Sequence, residues 1–79
     1  IEAQAEQAIG NLAALLEEAE SSTDKVVKTT VFIKNMDDFA KVNEIYAKYF
    51  TGIYPARSCV EVARLPKDVL IEIEAVAIK

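Results

Sequence analysis

Five residues near the end of this sequence carry groups that can do chemistry. Arg57, Cys59 and Glu61 alternate along ARSCVE, and Glu72 and Glu74 alternate along IEIEA. A guanidinium is a permanently charged, planar donor fork that grips a carboxylate through two parallel hydrogen bonds. Carboxylates beside a bound molecule can orient water or relay a proton. Arg57 also has a plainer reading, a surface ion pair with Glu61 or Glu74, and spacing alone does not choose between the two. Cys59 reads as a small buried hydrophobe rather than a nucleophile. No histidine stands ready to make a thiolate, and no motif sets the thiol at a helix N-terminus.

The stretch from Tyr54 to Ile78 must position these groups, and it reads as two strands folded back on each other. PARSCVEVARL is the first, Pro66-Lys67 supplies a turn, and VLIEIEAVAI is the second. Pairing Leu65 with Asp68 puts Ser58, Val60, Val62, Ile71, Ile73, Ala75 and Ala77 on a core face. The other face then collects Arg57, Cys59, Glu61, Glu72 and Glu74. In that register Glu74 lies opposite Cys59 and Glu72 opposite Glu61, about 13 Å along from Arg57. Pairing geometry therefore selects Glu74 as the neighbour of Arg57.

Upstream, Glu2 to about Glu20 reads as an amphipathic helix. Ala5, Ala8, Ile9, Leu12, Leu15, Leu16 and Ala19 fall on one face, and Gly10 suggests a close helix–sheet contact. Ser21 to Asp24 is a loop. KVVKTTVFIK, residues 25–34, is a β-branched strand with Val27, Thr29, Val31 and Ile33 on one face and Lys28, Thr30 and Phe32 on the other. Asn35 or Asp37 caps a second helix running to about Phe50. Phe39, Val42, Tyr46, Tyr49 and Phe50 form its buried stripe, and Gly52 ends it. Strand, helix and strand predict a right-handed parallel crossover, with the last strand antiparallel. The expected class is α+β, a mixed sheet with two helices packed on one face. Three strands are few for two helices to cover, so the chain reads as the C-terminal part of a larger sheet.

With 79 residues there is room for one domain, and 52% apolar against 28% charged is an ordinary globular balance. Nine basic residues are scattered among thirteen acidic ones, for a net charge of −4. That balance argues against a nucleic-acid partner, which calls for a basic stripe. One cysteine and no histidine make a zinc site improbable and fit a reducing compartment. No apolar run is long enough to span a bilayer, so no membrane partner is expected.

PARSCVEVARLPKD and IEIEAVA resemble the signature region of the RidA (YjgF/YER057c) family of enamine/imine deaminases. The similarity continues upstream through DKVVKTTVFIKNMDDFAKVNEIYAKYF and the helix before it. It implies a chorismate-mutase-like, YjgF-like fold over residues 1–79, here without the hairpin and strand that open family members. It further implies a homotrimer in the cytoplasm or mitochondrion, with sites between protomers. Arg57 would anchor a substrate carboxylate, Glu72 would orient water, and Cys59 and Asn43 would line the pocket. Arg57 and Glu72 of one site would then come from different chains, whereas strand pairing alone favours Glu74. The implied reaction hydrolyses 2-iminobutanoate, 2-iminopropanoate or 2-aminoacrylate to a 2-keto acid and ammonia, without a metal or organic cofactor. A non-catalytic 2-keto-acid-binding regulator of the same fold is the alternative. An endoribonuclease or translation inhibitor stands behind both, opposed by the acidic balance.

Overall fold

A computed structural model describes residues 1–51 and 55–79. In chain order the elements are helix α1 (Glu2–Glu18), strand β1 (Val26–Ile33), helix α2 (Phe39–Tyr49), and strands β2 (Ala56–Glu61) and β3 (Ile71–Ala77). Short 3-10 turns at Thr23–Lys25, Met36–Asp38 and Pro66–Asp68 punctuate them. The class is α+β: a mixed three-stranded sheet and two helices. Gly52, read from sequence as a helix stop, and Tyr54, which opens the stretch holding the last two strands, lie outside the described residues.

β1 is the central strand, in the order β2-β1-β3, parallel to β2 and antiparallel to β3. The parallel strand–helix–strand unit matches the sequence expectation. The hairpin does not: β2 and β3 are not neighbours. The connection from Glu61 to Ile71 is long enough to carry the chain past the end of β1. Val62 donates its N–H to the Ile33 carbonyl at 2.9 Å, and Lys34 donates to that of Leu70 at 3.0 Å. The Lys34 ammonium also bonds the Ala63 carbonyl. Pro66-Lys67 does make a local turn, with the Asp68 N–H on the Leu65 carbonyl at 3.0 Å. Its geometry serves a crossing loop rather than a two-residue hairpin. Lys67 and Asp68 both hold left-handed φ, 60° and 55°. The Arg64 guanidinium braces Asp68 at 2.7 and 3.2 Å.

β1 lies in the middle because its inward side chains need cover on every side. Thr29, Val31 and Ile33 are almost wholly buried. Ile9 and Leu16 of α1 and Val42, Ile45 and Tyr46 of α2 share their core, with Phe50 and Ile71. The buried β1 set starts at Val26, not at Val27 as alternation predicts. A register irregularity between Val26 and Lys28 leaves Val27 half exposed.

α1 ends two residues before the expected point. Glu20 takes φ 63°, the Ser21 N–H bonds the Leu16 carbonyl at 2.8 Å, and the Glu20 N–H bonds that of Glu17 at 3.0 Å. This is the paired hydrogen-bond stop usually built on glycine, and a side chain at that φ costs about 1–2 kcal/mol. Leu15, expected on the buried face, is exposed. Gly10 does mark a close approach, but between helices rather than to the sheet. A Cβ there would stand 3.3 Å from the Tyr49 hydroxyl. That hydroxyl donates to Glu6 Oε1 at 2.9 Å, and the acceptor carboxylate raises the tyrosine's pKa. Among the described residues, no helix is long and apolar enough to cross a membrane.

Candidate functional site

Because β1 separates β2 from β3, the register redistributes the candidate residues. Directly paired residues point to the same side of a sheet. Arg57, Cys59 and Glu61 pair with Thr29, Val31 and Ile33, which pair in turn with Ala75, Ile73 and Ile71. All of these lie on the helix-covered face. Glu72 and Glu74 pair with Phe32 and Thr30 and point to the opposite, uncovered face. The single face predicted to hold Arg57, Cys59, Glu61, Glu72 and Glu74 is therefore split by the intervening strand. Within one chain, neither Glu72 nor Glu74 shares a face with Arg57.

Arg57 sits against one line of α2. Phe39, Asn43 and Tyr46 recur at four- and three-residue intervals, which places them one above another along the helix. Arg57 Nη1 donates to Asn43 Oδ1 at 2.6 Å. Its guanidinium carbon lies 4.7 Å from the centroid of the Tyr46 ring and 5.2 Å from that of Phe39. At an exposed position each such cation–π contact is worth about 0.5–1 kcal/mol. Among the described residues no carboxylate forms an ion pair with Arg57. Glu61, one of the partners considered from sequence, instead accepts the Met36 N–H through Oε1 at 2.8 Å. That contact helps hold the entrance to α2, where the Asn35 side chain also accepts from the Asp37 N–H at 3.0 Å.

Asn43, Tyr46, Ala47, Pro55 and Arg57 line a cavity of about 430 Å³. Its chemistry is a fixed positive fork over aromatic surface, suited to a small anion with a short apolar tail. Cys59 lies on the same face, two residues along, and is half-buried. Burial pushes its thiol up, and the Arg57 charge pulls it only part of the way back. A thiol in that state is a poor nucleophile at neutral pH. Among the described residues no group of His, Cys, Asp and Glu is arranged to hold a metal ion.

Composition and periodicity read Phe39 and Tyr46 as core, which they partly are, and so overlooked their second role as the seat of Arg57. The available signal was Asn43, an amide set into a line of aromatic residues at helical spacing. That amide lies within reach of β2, and Arg57 is its partner.

The fold and this arginine-centred cavity define a small α+β domain that presents a guanidinium against one helix. The comparisons with known proteins give the family. The model described as endoribonuclease L-PSP matches residues 1–79, and the chain belongs to that family, the RidA/YjgF family. A RutC family protein of Synechocystis, slr0709, is 61% identical over 99% of this chain and 61% of its own length. The 2-iminobutanoate/2-iminopropanoate deaminase of Escherichia coli K12 is 54% identical over all of this chain and 64% of its own. The crystal structure of the E. coli YjgF gene product superposes with a TM-score of 0.93 at 53% identity, over 99% of this chain and 64% of that one. The chain thus spans about three-fifths of the length of the relatives it matches.

Proposed function

We propose that the protein to which this chain belongs is an enamine/imine deaminase acting on small 2-imino acids such as 2-iminobutanoate and 2-iminopropanoate. The observation that carries this reading is Arg57, held on an aromatic bed by Asn43 at a cavity of small-molecule size. The name of the E. coli relative supports the same substrate class. Arg57 clasps the carboxylate of the imino acid. Water adds to the imine carbon, the nitrogen takes up protons, and the C–N bond breaks to release ammonia and the 2-keto acid. Glu72 positions that water and relays a proton.

Glu72 faces away from Arg57 within one chain, so the active unit is an assembly in which a neighbouring copy brings its Glu72 to this cavity. A homotrimer with sites between protomers meets that requirement. Asn43 acts through the arginine, and Cys59 is a wall contact. The chemistry of these residues calls for no cofactor, and a lone free thiol fits a reducing compartment such as the cytoplasm.

Replacing Arg57 by alanine in the full-length protein tests the reading. Ammonia release from freshly generated 2-aminoacrylate should fall about a hundredfold or more while the fold survives. An undiminished rate removes Arg57 from the mechanism.

The separation of Glu72 from Arg57 also favours a second reading, a protein that binds 2-keto acids without turning anything over. Saturable 2-ketobutyrate binding without accelerated imine hydrolysis would select it. The nuclease implied by the family description is opposed by a net charge of −4 and the absence of histidine. RNA cleavage that survives stringent purification would revive it.

A further inference from the structure

Beneath the arginine lies a polar contact that the deaminase reading does not use. Thr29, on the central strand, is fully buried, and its hydroxyl lies 2.8 Å from that of Tyr46, which is 4% exposed. Thr29 is also the strand partner of Arg57. The three residues close a triangle drawn from three elements. Arg57 lies beside Thr29 in the sheet, Thr29 holds the tip of Tyr46, and the Tyr46 ring lies under the Arg57 guanidinium at 4.7 Å. Phe50 stacks on the same ring, with centroids 4.4 Å apart.

We propose that Tyr46, locked by the Thr29 hydroxyl, is a positioning residue that presets the Arg57 fork for the substrate carboxylate. This rests on the reading of Arg57 as the carboxylate anchor and extends it to the residues that aim the anchor. An exposed arginine loses much rotamer freedom when it clasps a ligand, and a side chain already held in the bound pose loses less. Asn43 fixes one end of the fork, and the ring fixes its plane. A ring free to tilt about its helix would not hold that plane, and the Thr29 bond removes the tilt. A valine at position 29 would fill the same space without burying a hydroxyl, so packing alone does not call for threonine.

The double variant Thr29→Val/Tyr46→Phe separates this role from a structural one. It removes both hydroxyls together, so no buried polar group is left unpaired and the fold is preserved. Tm, 2-ketobutyrate affinity and the steady-state constants for imine hydrolysis are measured in the full-length protein. Since the anchor grips the carboxylate in ground and transition states alike, KM and the 2-ketobutyrate Kd should rise together about 3–10-fold with kcat unchanged. Tyr46→Leu, which removes the ring, should raise both further, and Tyr46→Trp should restore part of the loss. Wild-type Kd and KM in the double variant overturn the proposal, whatever Tyr46→Leu does to stability. Arg57→Ala serves as the control. If it binds 2-ketobutyrate normally, the anchor reading itself fails. If it loses binding while the double variant does not, only the positioning role is lost.

Discussion

The two faces of the sheet are built from the same strands and serve opposite ends. On the covered face, Thr29, Val31 and Ile33 are sealed beneath two helices, and the Arg57 guanidinium at its margin is held by an amide and two rings. On the other face Val60, Val76, Glu72 and Glu74 stand exposed on either side of β1. Alternation along a strand is therefore only half of a site's geometry. Arg57 and Glu72 both belong to the similarity with the RidA/YjgF family, yet the pairing order sends them to opposite sides. One face is preorganised within a single chain, and on the proposed reading Glu72 on the other acts only against a neighbouring copy.

Removing one charge from each face should separate their roles. Glu72→Gln should lower kcat by about 10²–10⁴-fold, the range for a positioned acid–base group, with 2-ketobutyrate affinity unchanged. Arg57→Ala should lower activity and affinity together. If Glu72→Gln weakens 2-ketobutyrate binding as much as Arg57→Ala does, the division of labour between the faces is wrong.

A stability measurement comes next. Ile33→Ala, at a fully buried position, should cost about 2–5 kcal/mol in urea unfolding. Val76→Ala, at a residue 60% exposed, should cost less than about 0.5 kcal/mol in the monomer. A loss at Val76 that grows with protein concentration would mean that copies of the chain cover this face.

The smallest effect concerns Cys59. Burial raises its pKa and Arg57 lowers it by less, so the thiol stays protonated through neutral pH. Its alkylation by iodoacetamide should be slow there and rise at a pH above that of a free thiol. Removing the guanidinium takes away the stabilisation of the thiolate, so Arg57→Ala should move that inflection higher still. An inflection below the ordinary thiol range would reopen a nucleophilic role.

Much of the fold is legible in the sequence because it depends on short-range periodicity. Ala5, Ile9 and Leu16 mark α1, Val42 and Tyr46 mark α2, and the β-branched run from Val26 marks β1. The parallel crossover follows from a helix between two strands. What is not legible is the neighbour of each strand. Pro66-Lys67 signals a reversal, but a reversal says nothing about whether another strand lies between the two arms. That single ambiguity inverts the face of Glu72 and Glu74 relative to Arg57. Val27 fails for a related reason, since an irregular pairing shifts the phase of alternation without leaving a mark in residue type. Arg57 and Asn43, both named through the family resemblance, do meet in the structure. The Tyr46 seat is not legible, because an aromatic residue serving both as core and as platform has the same spacing as one serving only as core.

The crossing loop between β2 and β3 also dictates when the molecule can be completed. β1 is synthesised ahead of both strands that flank it, and its antiparallel partner closes only once Ala77 has been made. Until then the nascent chain carries a Val- and Ile-rich segment with an unpaired edge, the kind of surface that invites aggregation. Closure of these three strands therefore waits on the last of them to be made, and a chain stalled before Ile71 would expose the β1 edge that β3 covers.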